Sequence, residues 1–208
     1  MSASDRILPA TCVLWTAALI ASGIAPYDRL TWFMEVLPVL IAAPLLLLTR
    51  ERLPLTPLVY ALIAVHGLIL IYGGAYTYAR TPLGFWLQDL LGFSRNPYDR
   101  IGHIAQGFVP ALLARELLLR VFGIGGRKIL FFLVLCIALA ISAFYELIEW
   151  WAALLIGAEA DEFLATQGDV WDTQWDMFLA LCGAFAAQLL LGRWHDRQLA
   201  NFGSAKAP

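Results

Sequence analysis

Acidic side chains and a histidine recur at helical spacing in the second half of the chain. Asp99 and His103 are four residues apart, and Glu146 and Glu149 are three residues apart, so each pair occupies one face of a helix. Helical bundles bind metal ions with carboxylates and imidazoles that project inward from facing helices. The spacing therefore predicts a divalent-metal site built from at least two helices.

A third set of acidic residues is predicted to lie at the same depth in the bundle as these two pairs. Asp169, Asp172 and Asp176 fall at positions i, i+3 and i+7, which predicts an acidic stripe along a further helix. The predicted metal ligands are His66, His103, Glu146, Glu149 and Asp176. The predicted catalytic groups are Glu146, Glu149 and Asp172, and the predicted polar support is Glu35, Asp99 and Asp169.

The chemistry follows from the types of ligand. A histidine among carboxylates suits Zn²⁺, Fe²⁺ or Mn²⁺, whereas a site made only of oxygens suits Mg²⁺. Such a metal activates water, and a carboxylate that is not bound to the metal can act as the general base. No nucleophile elbow, P-loop or HExxH motif accompanies the cluster, so the sequence does not specify the reaction.

Each of these residues also has a structural explanation that spacing alone leaves open. The alternatives are Asp99 and Asp169 as helix caps, Glu146 and Glu149 as partners of Arg95 or Arg100, Glu35 as a satisfied interfacial carboxylate, and His66 as a packing residue. These alternatives do not explain why the groups share one depth. Like charges crowded together repel unless they are protonated or bridged by a cation.

The chain that positions these groups is unusually apolar. Of its 208 residues, 61% are hydrophobic and 14% are charged, whereas a soluble domain is about 45–50% apolar and about 25% charged. A soluble fold of this size cannot hide so much apolar surface, because its outer face meets water. The composition predicts an integral membrane protein with lipids as its surroundings. The net charge of −2 and the absence of a Lys/Arg stripe argue against a nucleic-acid partner.

Six apolar stretches are long enough to cross a bilayer, which needs about 20 mostly apolar residues per helix. They predict an all-α bundle of about six transmembrane helices that forms a single domain over residues 1–208. The predicted helices are residues 7–25, 30–48, 57–79, 101–122, 129–156 and 171–191. The segment Leu83–Gly92 is either a short amphipathic helix on the membrane surface or an ordered loop.

Basic residues are divided unequally between the two ends of these spans. Ten of the 14 lysines and arginines lie on the side that carries both chain termini. Because cytoplasmic loops are enriched in Lys and Arg, both termini are predicted to be cytoplasmic. The His/carboxylate cluster then lies in the outer half of the membrane, and His66 lies nearest the midplane.

Four polar segments surround the predicted cluster. They are Asn96–His103, Tyr145–Glu149, Thr166–Asp169 and Trp171–Met177. Together they resemble the YjdF family of bacterial inner-membrane proteins, and the resemblance covers most of predicted helices three to six. It implies a multi-pass protein of the bacterial inner (plasma) membrane, but no particular reaction. In such a membrane the orientation predicted from the basic residues makes the cluster face the periplasm.

A looser likeness is to VanZ-like proteins, which are associated with glycopeptide-antibiotic resistance. Those proteins carry Asp-Lys-x-x-His, a later Glu-x-x-Gln, and then an Asp and an Asn that lead into a glycine-containing helix. The matching positions are Asp99 and His103 with Arg100 in place of lysine, Glu146 with Glu149 in place of glutamine, and Asp172, Asp176 and Gly183 with Asp176 in place of asparagine. The additional carboxylates strengthen the case for cation binding.

Three functions remain open at the level of the sequence. The first is a metal-dependent intramembrane enzyme that acts on a lipid or an envelope precursor. The second is a proton- or cation-coupled transporter or an ion-binding protein, which the lack of an internal repeat disfavours. The third is a non-catalytic membrane scaffold. The oligomeric state is not specified by the sequence.

Overall fold

The computed structural model describes residues 3–157 and 166–200, and every regular element in those ranges is helical. The α-helices are α1 (Ala3–Ile24), α2 (Arg29–Thr49), α3 (Pro57–Tyr76), α4 (Pro82–Leu91), α5 (Tyr98–Arg120), α6 (Arg127–Ile156) and α7 (Asp172–Ala200). A 3-10 helix, Tyr78–Arg80, joins α3 to α4. The prediction of an all-α membrane protein is confirmed.

Five helices, α1, α2, α3, α6 and α7, are long and apolar enough to cross a membrane. The remaining long helix, α5, has 23 residues, which corresponds to about 35 Å. Its charged side chains Asp99, Arg115 and Glu116 are buried inside the protein rather than presented to lipid. Helix α5 is therefore long enough to cross a bilayer, and its polar groups are shielded by neighbouring helices.

Several helix ends differ from the predicted ones. Helix α3 ends at Tyr76 rather than at residue 79, because Thr77 has a φ of 56° that is incompatible with a continuing right-handed helix. Helix α5 begins at Tyr98 rather than at residue 101. Helix α7 continues to Ala200 rather than ending at residue 191, because its polar last turns bind other helices instead of water. The segment from Pro82 to Leu91 is a helix, as one of the two alternatives predicted.

The most extensive contact in the bundle is the crossing of α5 with α7. It depends on glycines, since a Cβ atom at Gly107 would lie 1.7 Å from the carbonyl oxygen of Ala180. A Cβ at Gly183 would lie 2.2 Å from the carbonyl oxygen of Ile104. Small residues at such contacts let membrane helices approach closely enough for backbone packing.

Capping side chains define where two of the outer helices begin. Asp28 precedes α2, and its carboxylate accepts a hydrogen bond of 2.7 Å from the backbone N–H of Thr31. This hydrogen bond holds the pKa of Asp28 below its ordinary value of 3.8. Thr56 caps α3 in the same way through the N–H of Val59.

The helices alternate in direction, so each end of the bundle contains a defined set of helix ends. At one end, the Ser4 hydroxyl donates to the carbonyl of Leu55, and Arg115 near the end of α5 pairs with Asp196 near the end of α7. At the other end, the N–H of Tyr27 donates to the carbonyl of Ala75. The start of α1 and the end of α7 therefore share one end, as the predicted topology requires.

The sidedness of the bundle gives a first testable prediction. An alkaline phosphatase fused after Pro208 is expected to be inactive, because the basic end should remain in the cytoplasm. The same reporter inserted after Gly92, at the opposite end, is expected to be active. An active C-terminal fusion would refute the predicted orientation.

Candidate metal centre

The candidate site is assembled around the imidazole of His103, which lies one turn after Asp99 on α5. Both side chains are buried. The Nε2 atom of His103 is 3.5 Å from Oδ1 of Asp99 and 3.8 Å from Oδ1 of Asp176 on α7. The predicted convergence of α5 and α7 at this depth is present in the structure.

The other imidazole nitrogen faces a different pair of side chains. Nδ1 of His103 is 3.0 Å from Oε1 of Gln106 on α5 and 3.9 Å from Oε1 of Glu146 on α6. If Nδ1–H donates to the Gln106 amide oxygen, the lone pair of the neutral imidazole is on Nε2. That tautomer directs the metal-binding nitrogen of His103 towards Asp99 and Asp176.

Several carboxylate oxygens in this cluster are buried without a hydrogen-bond partner. Within the described residues they are Oδ2 of Asp99, Oε1 of Glu146 and Oδ1 of Asp176. No lysine or arginine of residues 3–157 or 166–200 forms an ion pair with these carboxylates. Buried carboxylates with free oxygens and no cationic partner are costly unless a proton or a metal ion lies among them.

The geometry fits a metal ion with two overlapping sets of ligands. One set is Asp99, His103 and Asp176, and the other is His103, Glu146 and Glu149; in each set the ligand atoms lie within 4.8 Å of one another. Two ligands at about 2.1 Å from one metal are separated by at most about 4.2 Å. The His103 distances of 3.5 and 3.8 Å to Asp99 and Asp176 are therefore already compatible with coordination.

A cavity of about 190 Å³ opens onto this cluster from the side of α2 and α3. Its polar lining is Glu35, His66, Tyr78, Asp99, His103, Gln106, Tyr145 and Glu149. His66 lies in this lining, but it belongs to neither of the two ligand sets, and its Nε2 atom is buried without a partner. Glu149 faces the cavity, so it is accessible to a molecule that enters there.

A second cavity of about 230 Å³ continues from the first towards the middle of the bundle. The two cavities share Pro38, His66, Leu70 and Pro110 in their linings. His66 is the only ionisable side chain that lines the second cavity among the described residues, and the remainder are apolar or glycine. A polar compartment therefore adjoins an apolar one, with His66 at their junction.

The arginines just before and at the start of α5 pair with aspartates rather than with the glutamates of the cluster. Arg95 lies 2.5 Å from Oδ1 of Asp172, and Arg100 lies 3.3 Å from Oδ2 of Asp169. The alternative that Glu146 and Glu149 are neutralised by Arg95 or Arg100 is therefore wrong. The reason is that residues 166–172 lie against the start of α5. Asp169 and Asp172, rather than the glutamates, therefore contact these arginines.

The predicted acidic stripe of Asp169, Asp172 and Asp176 is wrong in one respect, because Asp169 does not belong to the helix. Helix α7 begins at Asp172, so Asp169 precedes the helix, and its carboxylate accepts a hydrogen bond from the N–H of Trp171. The Gln167 side chain makes two hydrogen bonds of 3.1 and 3.0 Å to the backbone of Asn96. Asp169 and Asp172 therefore attach this segment to the start of α5, while Asp176 points into the cluster.

Asp99 is likewise not a helix cap, since the residue that caps α5 is Pro97. Glu35 is buried in the cavity lining rather than interfacial. The phenols of Tyr78 and Tyr145 also line the cavity, and no sequence motif marks them, although Tyr145 adjoins Glu146 in the chain. Burial raises the pKa of Tyr78 well above its ordinary value of 10.0, so this phenol remains a neutral hydrogen-bond donor.

A second buried polar network lies at the other end of the bundle, around Glu116 and His195, and no sequence motif indicated it. Glu116 accepts hydrogen bonds from the N–H and hydroxyl of Thr56 and pairs with Arg120. Its other partner is Nε2 of His195 at 3.0 Å, and His195 is fully buried. His195 lies in a polar turn that hydropathy placed beyond the last span.

The fold and composition define a polytopic helical membrane protein, and the comparisons with known proteins place it in the bacterial inner membrane. Residues 7–197 match the family described as "Predicted membrane protein (DUF2238)", and the chain belongs to that family. It is 58% identical over 197 residues to "Inner membrane protein YjdF" of Escherichia coli (strain K12), which covers 95% of this chain and 94% of that protein. The resemblance to the YjdF family is confirmed. No solved structure matches the chain.

Proposed function

We propose that this protein is a metal-dependent enzyme of the inner membrane that acts on a lipid or a lipid-linked envelope precursor. The observation that carries the proposal is the environment of His103. Its Nε2 atom faces Asp99 and Asp176, each of which has a buried carboxylate oxygen without a partner. In this arrangement Asp99, His103 and Asp176 hold Mn²⁺, Fe²⁺ or Zn²⁺.

Gln106 and the glutamates Glu146 and Glu149 have separate roles in this proposal. Gln106 accepts from Nδ1–H and so orients the imidazole, as partners of metal-bound histidines usually do. The metal supplies Lewis acidity that lowers the pKa of water. Glu149 lines the cavity beside the cluster, where its carboxylate would serve as the general base for a water molecule, and Oε1 of Glu146 lies 3.9 Å from Nδ1 of His103.

The substrate class follows from the two adjoining cavities. A headgroup fits the polar cavity beside the cluster, and an acyl or isoprenoid chain fits the apolar cavity that begins at His66. Leu45, which lines the apolar cavity, is also exposed on the lipid-facing surface. A substrate that is polar at one end and apolar along its length therefore has a continuous path from the bilayer to His103.

The proposal predicts a stoichiometric metal that depends on His103. In protein purified in detergent, elemental analysis is expected to find about one Mn, Fe or Zn per chain. His103→Ala is expected to lose it, because three ligands become two. His66→Ala is the matched control, since it removes an imidazole from the same cavity but from neither ligand set, and it is expected to retain the metal.

Three further measurements separate the competing functions. If wild-type protein contains no metal and does not bind added Mn²⁺ or Zn²⁺, the metal proposal is wrong and the cluster is structural. If it binds metal and also moves the ion across the membrane of a proteoliposome, the protein is a transporter. Release of a water-soluble headgroup from labelled membrane lipids by wild type, but not by His103→Ala, supports the enzyme.

A further inference from the structure

A large cavity of about 550 Å³ lies at the end of the bundle opposite the metal centre. It is formed where the start of α6 meets the last turns of α5 and α7. Its basic lining is Arg115, Arg127, Lys128 and Arg193, and the single carboxylate in the lining is that of Asp196. This is the end that we predict to be cytoplasmic.

Among the described residues, the basic side chains that line this cavity outnumber the carboxylates. Asp196 is paired with Arg115, which also lies 3.1 Å from Nδ1 of His195. Arg127, Lys128 and Arg193 are exposed, and none of them forms an ion pair with a carboxylate of the described residues. Three cations therefore converge on one cavity, and no carboxylate of residues 3–157 or 166–200 forms an ion pair with any of them.

The backbone adds to this positive field. Arg127 and Lys128 are the first residues of α6, which has no acidic residue in its first turn and no side-chain cap. The first N–H groups of a helix are unsatisfied donors at the positive end of its dipole. The preceding residue, Gly126, has a φ of 96°, which lets the chain turn tightly into the helix.

An apolar path leads from the cavity along the bilayer-facing surface. The large apolar side chains in the lining of the cavity are Leu130, Phe131 and Leu189. Leu189 is 61% exposed, and Phe185, one turn away towards the membrane interior, is 48% exposed and packs edge-on against Phe131. A molecule with an anionic head and a hydrocarbon tail can therefore place its head among the cations and its tail beside Phe185 and Leu189.

We infer that this cavity binds the phosphate headgroup of an anionic phospholipid between α6 and α7. The arginines and the lysine contact the phosphate oxygens, and the first turn of α6 supplies further N–H donors. Basic pockets between membrane helices on the cytoplasmic side are suited to such headgroups. The apolar path favours a lipid over free phosphate, because inorganic phosphate has nothing to place on that surface.

Binding to the full-length protein in detergent tests this inference. The probes are a short-chain phosphatidylglycerol, phosphatidylcholine of the same chain length, and inorganic phosphate, with the shift of the thermal unfolding midpoint as the readout. Wild type is expected to be stabilised by phosphatidylglycerol at concentrations at which the other two have little effect. The double variant Lys128→Gln with Arg193→Gln is expected to bind phosphatidylglycerol about tenfold more weakly or worse.

A matched variant removes two charges at the same end but outside the cavity. Arg6→Gln with Arg52→Gln affects exposed arginines that do not line it, so the affinity for phosphatidylglycerol should remain that of wild type. If the first double variant does not fold, Arg127→Gln alone, at an exposed position, tests the same cavity. Equal binding of both lipids, equal binding of phosphate, or unchanged binding by the cavity variants would each overturn the inference.

Discussion

The double variant Asp99→Asn with Asp176→Asn is expected to lose the bound metal, whereas Glu146→Gln with Glu149→Gln is expected to retain it. The reason is the orientation of His103, whose Nε2 atom faces the aspartates while its Nδ1 atom lies near Gln106 and Glu146. Loss of two direct ligands should weaken metal affinity by more than the 10- to 100-fold (roughly) that outer-shell changes cost. Elemental analysis and titration with Mn²⁺ measure the difference.

The glutamate variant should nevertheless lose any catalytic activity, since it removes the proposed general base. Its thermal unfolding midpoint in detergent should remain within a few degrees of wild type or rise. Neutral replacement of crowded buried charges is often tolerated, because the charges themselves were costly to bury. Loss of metal from the glutamate variant alone would assign the ion to Glu146 and Glu149, and failure of both variants to fold would make the cluster structural.

Gly107→Ala is expected to produce a large loss of stability. The added Cβ would lie 1.7 Å from the backbone oxygen of Ala180, and a backbone atom cannot move aside without separating α5 from α7. Overpacking of this kind costs about 1–3 kcal/mol and sometimes more. Since Gly107 is one turn from His103 and Ala180 is one turn from Asp176, the metal affinity should also fall.

Gly192→Ala is the matched control for this prediction. It makes the same chemical change within α7, but a Cβ at Gly192 has no neighbour within 4 Å. It should therefore be neutral, or stabilising by up to about 1 kcal/mol through helix propensity. Thermal unfolding of both variants in detergent gives the comparison. If Gly107→Ala unfolds at the same temperature as Gly192→Ala, the close crossing of α5 and α7 is not required for stability.

Hydropathy was a reliable guide to the approximate positions of the long helices, but less so to their ends. An apolar run reports which residues lipid can surround, and five of the predicted helices satisfy that criterion by themselves. The last turns of α7 contain His195 and Gln198, which bind Glu116 and the N–H of Leu58. Their polarity is satisfied inside the protein, so a hydropathy criterion ends the helix too early.

Helical spacing alone determined that Asp99 and His103 share a face, as do Glu146 and Glu149, because residues three or four apart are neighbours on any α-helix. Only the tertiary structure decided which partners each group meets. Arg95 and Arg100 turn to Asp172 and Asp169, and Nε2 of His103 turns to Asp99 and Asp176. The physical reason is that these contacts depend on the rotation and separation of α5 and α7, which the glycines at their crossing set and which no single segment encodes.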